Sequence, residues 1–360
     1  MDQMESLGTT SPTIFQGTKS SNEDVQMEDS DGSAKFILAI YCMICVVGIT
    51  GNLLVAIVLL RVPSLRSNTS DFLVHLSIVD FMACVLVIPG YLLPRTNSAP
   101  NPGFLGEFWC RFYASGFLFW VFTMTSVLGL IVVNLERYVA IVYPHKYKTI
   151  FTKRNKYIMI IACWVLAAVS RSFFFFTYGE DEVVGCHFEG WSNRGTQVAF
   201  GLYTFTVNFF APFMVMILAQ LKVISTLNRQ VKILTARTAS SGANPSDQRE
   251  MWQLRASQTL VKTLLACVIT FGVCWIPNQV WFLLFNVGVP LTLGGPIQSL
   301  TIILAVGNSC VNPVIYTMTN KPFRKGIREL FCKQRDSNQV ADGTVATGTV
   351  SETVSNAQDQ

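Results

Sequence analysis

A run of 25 residues without a charge, from 36 to 60, limits what this chain can fold into. As a helix rising about 1.5 Å per residue it would be roughly 37 Å long, enough to cross a hydrocarbon core of about 30 Å with some tilt. In lipid the backbone must satisfy its own hydrogen bonds, and barrel strands would be shorter and alternating, so long apolar runs are predicted to be transmembrane helices. Six more such runs lie at about 71–93, 107–142, 157–177, 196–226, 257–287 and 292–317.

Composition supports lipid as the solvent for much of the chain. Of its 360 residues, 51% are hydrophobic and 14% are charged, whereas soluble domains carry about 25% charged residues. A soluble protein of this size has too little interior to bury so many apolar side chains. The ten cysteines lie mostly inside the apolar runs, where free cysteine acts as a small hydrophobe, so they do not indicate a dense disulfide framework.

The basic residues set the predicted orientation, because lysine and arginine concentrate on the cytoplasmic side of membrane proteins. With the N-terminus outside, only six of the 27 basic residues are extracellular, which leaves 21 on or near the cytoplasmic side. The net charge of +5 therefore reflects sorting across a membrane and does not indicate binding to nucleic acid. The six extracellular residues are Lys19, Lys35, Arg95, Arg111, Arg171 and Arg194.

The predicted fold class is an all-α membrane protein, a seven-transmembrane helix bundle over residues 36–319. Residues 1–35 are polar, lack the apolar core of a signal peptide, and are expected to form a disordered extracellular tail. The third cytoplasmic loop, roughly 227–256, is expected to be flexible. Residues 320–332 place apolar and basic side chains on opposite helix faces and predict an amphipathic helix on the membrane surface, followed by a disordered cytoplasmic tail over 333–360.

Four polar side chains lie deep in the predicted spans. A charge at that depth costs about 2.5–3.5 kcal/mol by insertion scales, so Asp80 in span two needs a partner. No lysine or arginine lies at its depth, and a sodium ion held by oxygen ligands would satisfy it. The alternative is that these groups only form interhelical hydrogen bonds, each worth about 0.6 kcal/mol. The other three are Asn52, Asn308 and Asn312.

Two further features interrupt the apolar pattern. Glu136-Arg137-Tyr138 ends span three, and such a charged pair could simply extend towards the headgroups. Pro277 in span six and Pro313 in span seven each remove a helical hydrogen bond, which predicts kinks. Kinks are usually only structural, but an aromatic or amide side chain neighbours each of these two, as expected of a hinge.

Together these residues resemble the rhodopsin-like (class A) family of G-protein-coupled receptors, over about residues 35 to 332. A single motif would be weak, but here one motif follows another in the family's order through all seven spans. The series is Gly51-Asn52, Leu76 with Asp80, Glu136-Arg137-Tyr138, Trp164, Pro212, Cys274-Trp275-Ile276-Pro277, and Asn312-Pro313 with Tyr316.

The resemblance implies a role for each matched residue. Arg137 would be held by Glu136 at rest and meet a heterotrimeric G protein when active. Phe271 and Trp275 would shift when agonist binds, Tyr316 would turn inward, and helix six would swing outward at Pro277. The implied sodium pocket, which favours the inactive state, comprises Asp80, Ser126, Trp275, Asn308 and Asn312.

The resemblance also implies a disulfide, modifications and partners. Cys110 matches the helix-three cysteine that is bridged to the second extracellular loop, where Cys186 is the candidate, and both lie on the predicted oxidising side. Cys332 is expected to be palmitoylated, and the Ser/Thr-rich tail is expected to recruit receptor kinases and arrestin. The implied mechanism is a two-state change that makes or breaks no ligand bond, so no enzymatic activity is expected.

Three positions depart from the family's pattern. Cys110 and Arg137 are 27 residues apart, two more than usual, and two residues rotate a helix face by roughly 200°. Cys110 must therefore precede the helix, or a bulge must absorb the excess. Gln220 stands where a tyrosine is usual, which puts its pairing with Tyr316 in doubt. Ser257 stands where helix six usually has an acid, so the resting lock on Arg137 is expected to be weak and basal signalling raised.

The ligand class is less constrained. Phe119 replaces the aspartate of amine receptors and Val306 the lysine of retinal pigments, which argues against both classes. Four acids of the second extracellular loop favour a cationic ligand, a short peptide ahead of a small molecule, although they could merely keep the loop solvated. They are Glu180, Asp181, Glu182 and Glu189.

Three ligand or function classes remain open. The loop and span-three region loosely resembles galanin and allatostatin-like peptide receptors. A receptor for a lipid or another non-amine small molecule is the main alternative. A secondary transporter could also show an intramembrane aspartate and proline-broken helices, but repeated halves and ten or twelve spans would then be expected.

Overall fold

The computed structural model describes residues 21–92, 103–181, 185–242, 244–293 and 295–331. Long helices dominate, and the bounds are α1 Ser21–Arg61, α2 Asn68–Val87, α3 Phe104–Trp109, α4 Phe117–Val142, α5 Pro144–Ile150, α6 Lys153–Arg171, α7 Phe174–Thr177, α8 Arg194–Phe205, α9 Ala211–Ser241, α10 Pro245–Val287 and α11 Pro296–Thr319, with α12 over residues 321–331. Two strands, β1 Tyr178–Asp181 and β2 Gly185–Phe188, form an antiparallel hairpin.

Seven helical segments in the described ranges are long and apolar enough to cross a membrane, as the sequence predicted. Spans three and five are each two helices joined by a π-helical turn, at Cys110–Ala114 and Thr206–Phe210 respectively. The chain is therefore an all-α, multi-pass membrane protein. The seven segments are Lys35–Arg61, Asn68–Leu92, Phe104–Val142, Lys153–Thr177, Arg194–Ser240, Pro245–Val287 and Pro296–Thr319.

Local sequence signals explain where several helices begin. Ser67 caps α2 by accepting a hydrogen bond from the backbone N–H of Ser70 at 3.1 Å. Thr152 caps α6 in the same way through Asn155. Both α10 and α11 start with a proline, whose missing N–H would in any case have no partner in the first turn.

Two segments expected to be disordered or flexible are largely helical where the structure describes the chain. α1 begins at Ser21, inside the tail expected over 1–35, because no proline interrupts residues 21–35 and extending an existing helix costs little. In the described part of the loop expected over roughly 227–256, every residue except Gly242 and Asn244 is helical. Gly242 ends α9 with φ 75°, a conformation that favours glycine, and the backbone N–H of Asn244 donates to Asp247 at 3.4 Å at the start of α10.

The helix over residues 321–331 agrees with the amphipathic helix predicted over 320–332. Asn320 begins it by accepting from the backbone N–H of Phe323 at 3.1 Å, and Phe323 is buried against the bundle. Cys332, the tail 333–360 and residues 1–20 lie outside the described residues.

The chain separates into two units, residues 1–40 and 41–360, and the second contains the functional site. Its core comprises buried residues from all seven spans, centred on side chains such as Leu76, Met216, Leu264 and Phe271. Small residues allow close approach in this core. A Cβ on Gly51 would lie 2.9 Å from Pro313, and one on Gly272 would lie 2.8 Å from Phe213.

Candidate functional site

The site extends along span three between two ends of the bundle. Cys110 lies before α4 and is bonded to Cys186 in β2, which defines the disulfide end. Arg137 lies in the last turns of α4 and defines the arginine end. The predicted bridge is thus present, and it fixes the β1–β2 hairpin at the disulfide end.

The two extra residues between Cys110 and Arg137 are absorbed before α4. Residues Cys110–Ala114 form a π-helical turn, and the chain then leaves helical geometry at Gly116. Gly116 adopts φ 85°, a left-handed conformation that favours glycine. Both alternatives predicted from the sequence therefore apply. Cys110 precedes the long helix α4, and the wide π-helical turn absorbs the two extra residues.

The residues suggested for ligand contact lie at the disulfide end. Glu180 pairs with Cys186 across the hairpin, and Asp181 and Glu189 are exposed beside it. Glu182 lies outside the described residues. Phe119 is buried, with its ring centroid 5.8 Å from that of Tyr91 and 5.2 Å from that of Trp120.

An aromatic column descends from this end into the core. Trp120 lies 6.4 Å from Trp275, and Trp275 lies 5.9 Å from Phe271, between ring centroids. Phe271 in turn contacts Phe209 of span five at 5.8 Å. The two residues predicted to move together on activation are therefore in contact, one turn apart on α10, with Pro277 inside the same helix.

A polar cluster lies below the column. The carboxylate of Asp80 is fully buried, and it accepts hydrogen bonds from Ser126 Oγ at 2.6 Å and Asn312 Nδ2 at 2.9 Å. Asn52 donates to the backbone carbonyl of Ser309 at 2.8 Å and so ties span one to span seven.

Two other members of the predicted sodium set, Asn308 and Trp275, do not join the hydrogen bonds of this cluster in the described chain. Asn308 is buried one turn before Asn312, and Trp275 is buried with its Nε1 unpaired. Among the described residues no lysine or arginine pairs with Asp80. The carboxylate thus has donors from spans three and seven but no compensating charge.

The arginine end is organised by Glu136. Its fully buried carboxylate accepts from Arg137 Nε at 2.6 Å and Nη2 at 2.8 Å. It also accepts from Thr69 Oγ1 at 2.9 Å and from the hydroxyl of Tyr147 at 2.6 Å. Burial, and then the bond to Glu136, raise the pKa of Tyr147, so the phenol remains a neutral donor. Sequence reasoning missed Thr69 and Tyr147, which no motif marks.

Gln220 connects span five to span three near the arginine end. Its Nε2 donates to Asn134 Oδ1, one turn before Arg137, and both side chains are buried. Tyr316 is buried at the end of α11 with its ring 6.3 Å from Phe323, and its hydroxyl is unpaired within the described chain. Gln220 therefore pairs with span three and not with Tyr316, in line with the doubt raised by the sequence.

The remaining predicted residues have clear positions. Tyr138 lies beside Arg137 with its ring 5.7 Å from that of Tyr143, packed on a small cluster formed by Val223, Leu227 and Val261. Pro313 lies inside α11. His75 accepts a hydrogen bond from Trp164 Nε1 at 3.1 Å and so connects span two to span four.

Known proteins resemble this chain in sequence and in fold. A family model described as "7 transmembrane receptor (rhodopsin family)" matches residues 51–316. Galanin receptor type 1 of Rattus norvegicus is 28% identical over 320 residues, covering 87% of this chain and 86% of that receptor. The allatostatin-A receptor of Bombyx mori is 25% identical over 304 residues, covering 80% and 77%. The crystal structure of squid rhodopsin shares the fold, with a TM-score of 0.68 at 21% identity, covering 84% and 86%.

The chain belongs to the rhodopsin family of seven-transmembrane receptors. It is therefore a G-protein-coupled receptor that takes an extracellular ligand and a G-protein partner, and it is not an enzyme. The resemblance deduced from the motif series is confirmed.

Proposed function

We propose that this receptor binds a short peptide at the disulfide end, with its N-terminus outside the cell and its C-terminus inside. The observation that carries the ligand class is the similarity to receptors named for galanin and allatostatin-A over 80% or more of the chain. The disulfide-tethered hairpin with exposed acids agrees with a ligand that has basic groups.

The orientation rests on the basic residues and on the bridge. The arginine end is flanked by the basic segments of α5, α6, α9 and α10, which suits the cytoplasmic face. Cys110 and Cys186 lie at the opposite end, where an oxidising exterior would maintain their bond.

Signalling then proceeds by a shift between two states of the bundle. Ligand at the disulfide end reaches Phe271 through Trp120 and Trp275, which are in ring contact. Movement of α10 about Pro277 opens the arginine end, where Arg137 leaves Glu136 and meets the G protein. Agonist must bind the open state more tightly, and by reciprocity the G protein tightens agonist binding.

Sodium is proposed as an allosteric ion of the resting state. Asp80, Ser126 and the amides of Asn308 and Asn312 supply oxygen atoms, the ligands that hard cations prefer. The buried and uncompensated charge of Asp80 supports this fit. These residues would hold the ion between spans two, three and seven and so oppose their rearrangement.

The C-terminal segment is proposed to regulate the receptor. Cys332 follows the helix over 321–331, whose Phe331 is exposed, and a palmitoyl chain there would anchor the helix to the membrane. Phosphates added by receptor kinases to the serines and threonines of the tail would present closely spaced negative charge to arrestin.

A library screen tests the ligand class. Cells expressing the receptor with a promiscuous G protein are exposed to neuropeptides, including galanin-type and allatostatin-A-type peptides, and in parallel to lipids and small non-amine metabolites. We expect responses to peptides that mock-transfected cells lack. A response confined to the lipid or metabolite arm would replace the peptide proposal with the small-molecule alternative.

The hairpin acids provide a more specific prediction for a basic peptide agonist. Replacing Glu180, Asp181 and Glu182 by their amides should lower the association rate and flatten its salt dependence, because exposed charges steer encounters and are screened over about 8 Å at physiological salt. The dissociation rate should change little. The matched control is Glu107→Gln, at an acid already paired with Arg111. An unchanged association rate at low salt in the triple variant would show that these acids only solvate the loop.

A further inference from the structure

One buried cation at the disulfide end has no role in the mechanism described above. Arg171 is the last residue of α6, and only 5% of its surface is exposed. Its Nε has no hydrogen-bond partner, and Nη2 donates only to the thioether of Met124 at 3.6 Å. No carboxylate in the described chain lies within 4 Å of it. A guanidinium offers five N–H donors, so most of its capacity is unused.

Among the residues that the structure describes, none neutralises the charge of Arg171. Its Cζ lies 5.8 Å from the centre of the Trp120 ring, which gives a cation–π contact but no acceptor oxygen. Removing a charge from water without a partner is costly, and intramembrane charges of this kind mark functional sites.

Other polar atoms at this end also lack partners in the described chain. Phe173, just after α6, contacts Phe200 of α8 with ring centroids 4.5 Å apart. Thr204 lies one turn after Phe200 on the same face of α8, and Asn208 lies in the π-helical turn that follows α8. The Thr204 hydroxyl and the Asn208 Nδ2 are buried and unpaired, like Arg171 Nε. Spans four and five thus present unused donors, which suits a ligand group that accepts hydrogen bonds.

We propose that Arg171 is a ligand-contacting residue whose guanidinium binds a carboxylate of the ligand. An ionised carboxylate supplies both the missing charge and two acceptor oxygens, which a guanidinium can bind through two parallel hydrogen bonds. Trp120 contacts both Arg171 and Trp275, so a carboxylate bound to Arg171 is linked to the aromatic column through the guanidinium. The inference rests on the proposed receptor site, but its test needs no peptide, so the two can fail separately.

The test uses purified full-length receptor and two fragments that differ in one group. N-acetyl-phenylalanine carries a carboxylate and an aromatic ring, and its carboxamide analogue lacks the charge. Binding is measured as the rise in the thermal midpoint with fragment concentration, with sodium chloride at equal ionic strength as the salt control. We expect wild-type receptor to bind the acid about tenfold more tightly than the amide.

Variants assign this preference to Arg171. Arg171→Gln should bind acid and amide equally, and without ligand its thermal midpoint should equal or exceed that of wild type, because an unpaired buried charge is gone. Arg171→Lys should keep part of the preference, since an ammonium retains the charge but loses the planar fork. Arg111→Gln is the matched control, because Arg111 lies at the same end and already pairs with Glu107.

Three results would overturn the proposal. Wild-type receptor could show no preference for the acid, or chloride could stabilise it equally well. The preference could survive in Arg171→Gln. The glutamine variant could also fail to fold, which would mean that the charge has a structural partner.

Discussion

At the scale of single residues, Glu136 explains how a charge remains fully buried near the membrane surface. Its two carboxylate oxygens accept four hydrogen bonds, two from Arg137 and one each from Thr69 and Tyr147. A buried charge is tolerated when every lone pair has a donor. In the described chain Arg137 has no other ion-pair partner. The contact that holds Arg137 at this end is therefore the ion pair with Glu136, whose carboxylate is itself held by Thr69 of α2 and Tyr147 of α5.

Tyr147→Phe should raise basal signalling. It removes one hydrogen bond to a charged group, worth about 1.5–3 kcal/mol, from the contact that holds Arg137 in the resting arrangement. A loss of about 1.4 kcal/mol from the resting state alone would raise the active fraction about tenfold. The measurement is G-protein activation without ligand at matched surface expression. Tyr157→Phe, at an exposed tyrosine of α6, is the control, and equal basal activity in the two variants would contradict the lock.

Asp80→Asn should remove stabilisation by sodium, because the amide keeps the size of the side chain and loses its charge. In wild type, sodium at about five times its dissociation constant would stabilise the resting bundle by about 1 kcal/mol. Thermal midpoints of purified receptor in sodium chloride and in choline chloride measure the effect. Asp71→Asn, at an exposed acid of α2 that pairs with Lys156, should keep it. Equal sodium sensitivity of wild type and Asp80→Asn would exclude the ion from this position.

At the scale of elements, span three is not one regular helix. The π-helical turn over Cys110–Ala114 and the left-handed Gly116 bring Cys110 into register with Cys186, despite two more residues than the family usually has. Span five contains a comparable turn over Thr206–Phe210, next to the residues that face span four. Irregular turns in these helices therefore lie where the disulfide and the proposed ligand contacts must be positioned.

Gly116→Ala should destabilise the receptor, because a left-handed conformation costs a residue with a Cβ about 1–2 kcal/mol. The added methyl group itself would make only an ordinary contact, with Trp120 at 3.5 Å. Any loss of stability would therefore come from the strained backbone conformation and not from a steric clash. Gly307→Ala is the matched control, since Gly307 lies in α11 with open space around it and alanine favours a helix. The thermal midpoint should fall for the first variant only. Similar midpoints would show that span three can take another path.

At the scale of the whole molecule, the bundle is held by polar ties between helices that are distant in sequence. Asn52 connects spans one and seven, Asp80 connects spans two, three and seven, and His75 connects spans two and four. Gln220 and Asn134 connect spans five and three next to the arginine end. Because lipid does not drive helices together as water does, such ties and close packing set the arrangement.

The Gln220–Asn134 tie predicts non-additive stability. Each single alanine variant should lower stability by about 1–3 kcal/mol, since it leaves a buried polar partner unsatisfied. The double variant should cost less than the sum of the two, because no orphaned group remains. The measurement is a double-mutant cycle, in which thermal midpoints are compared for wild type, the two single variants and the double variant. Additive losses would mean that the two side chains do not interact in the membrane.

Much of this protein was predictable from local sequence patterns. The seven spans follow from apolar runs, because lipid leaves a helix as the only structure that satisfies its own backbone. The motif series gave the family, and with it the Cys110–Cys186 bridge and the contact between Glu136 and Arg137. Helix bounds at the polar ends were less predictable, as α1 and α9 demonstrate, since propensity alone does not separate a polar helix from a loop.

The sequence alone thus determined the fold class, the family and the identity of the charged residues in lipid, because each depends on the order of residues along the chain. Which groups partner one another was decided only by the tertiary structure. Tyr147 reaches Glu136 from α5, Gln220 turns to Asn134, and Arg171 finds no carboxylate in the described chain. These contacts depend on how helices rotate and pack, and a rotation of one residue, about 100°, would redirect every side chain on a helix.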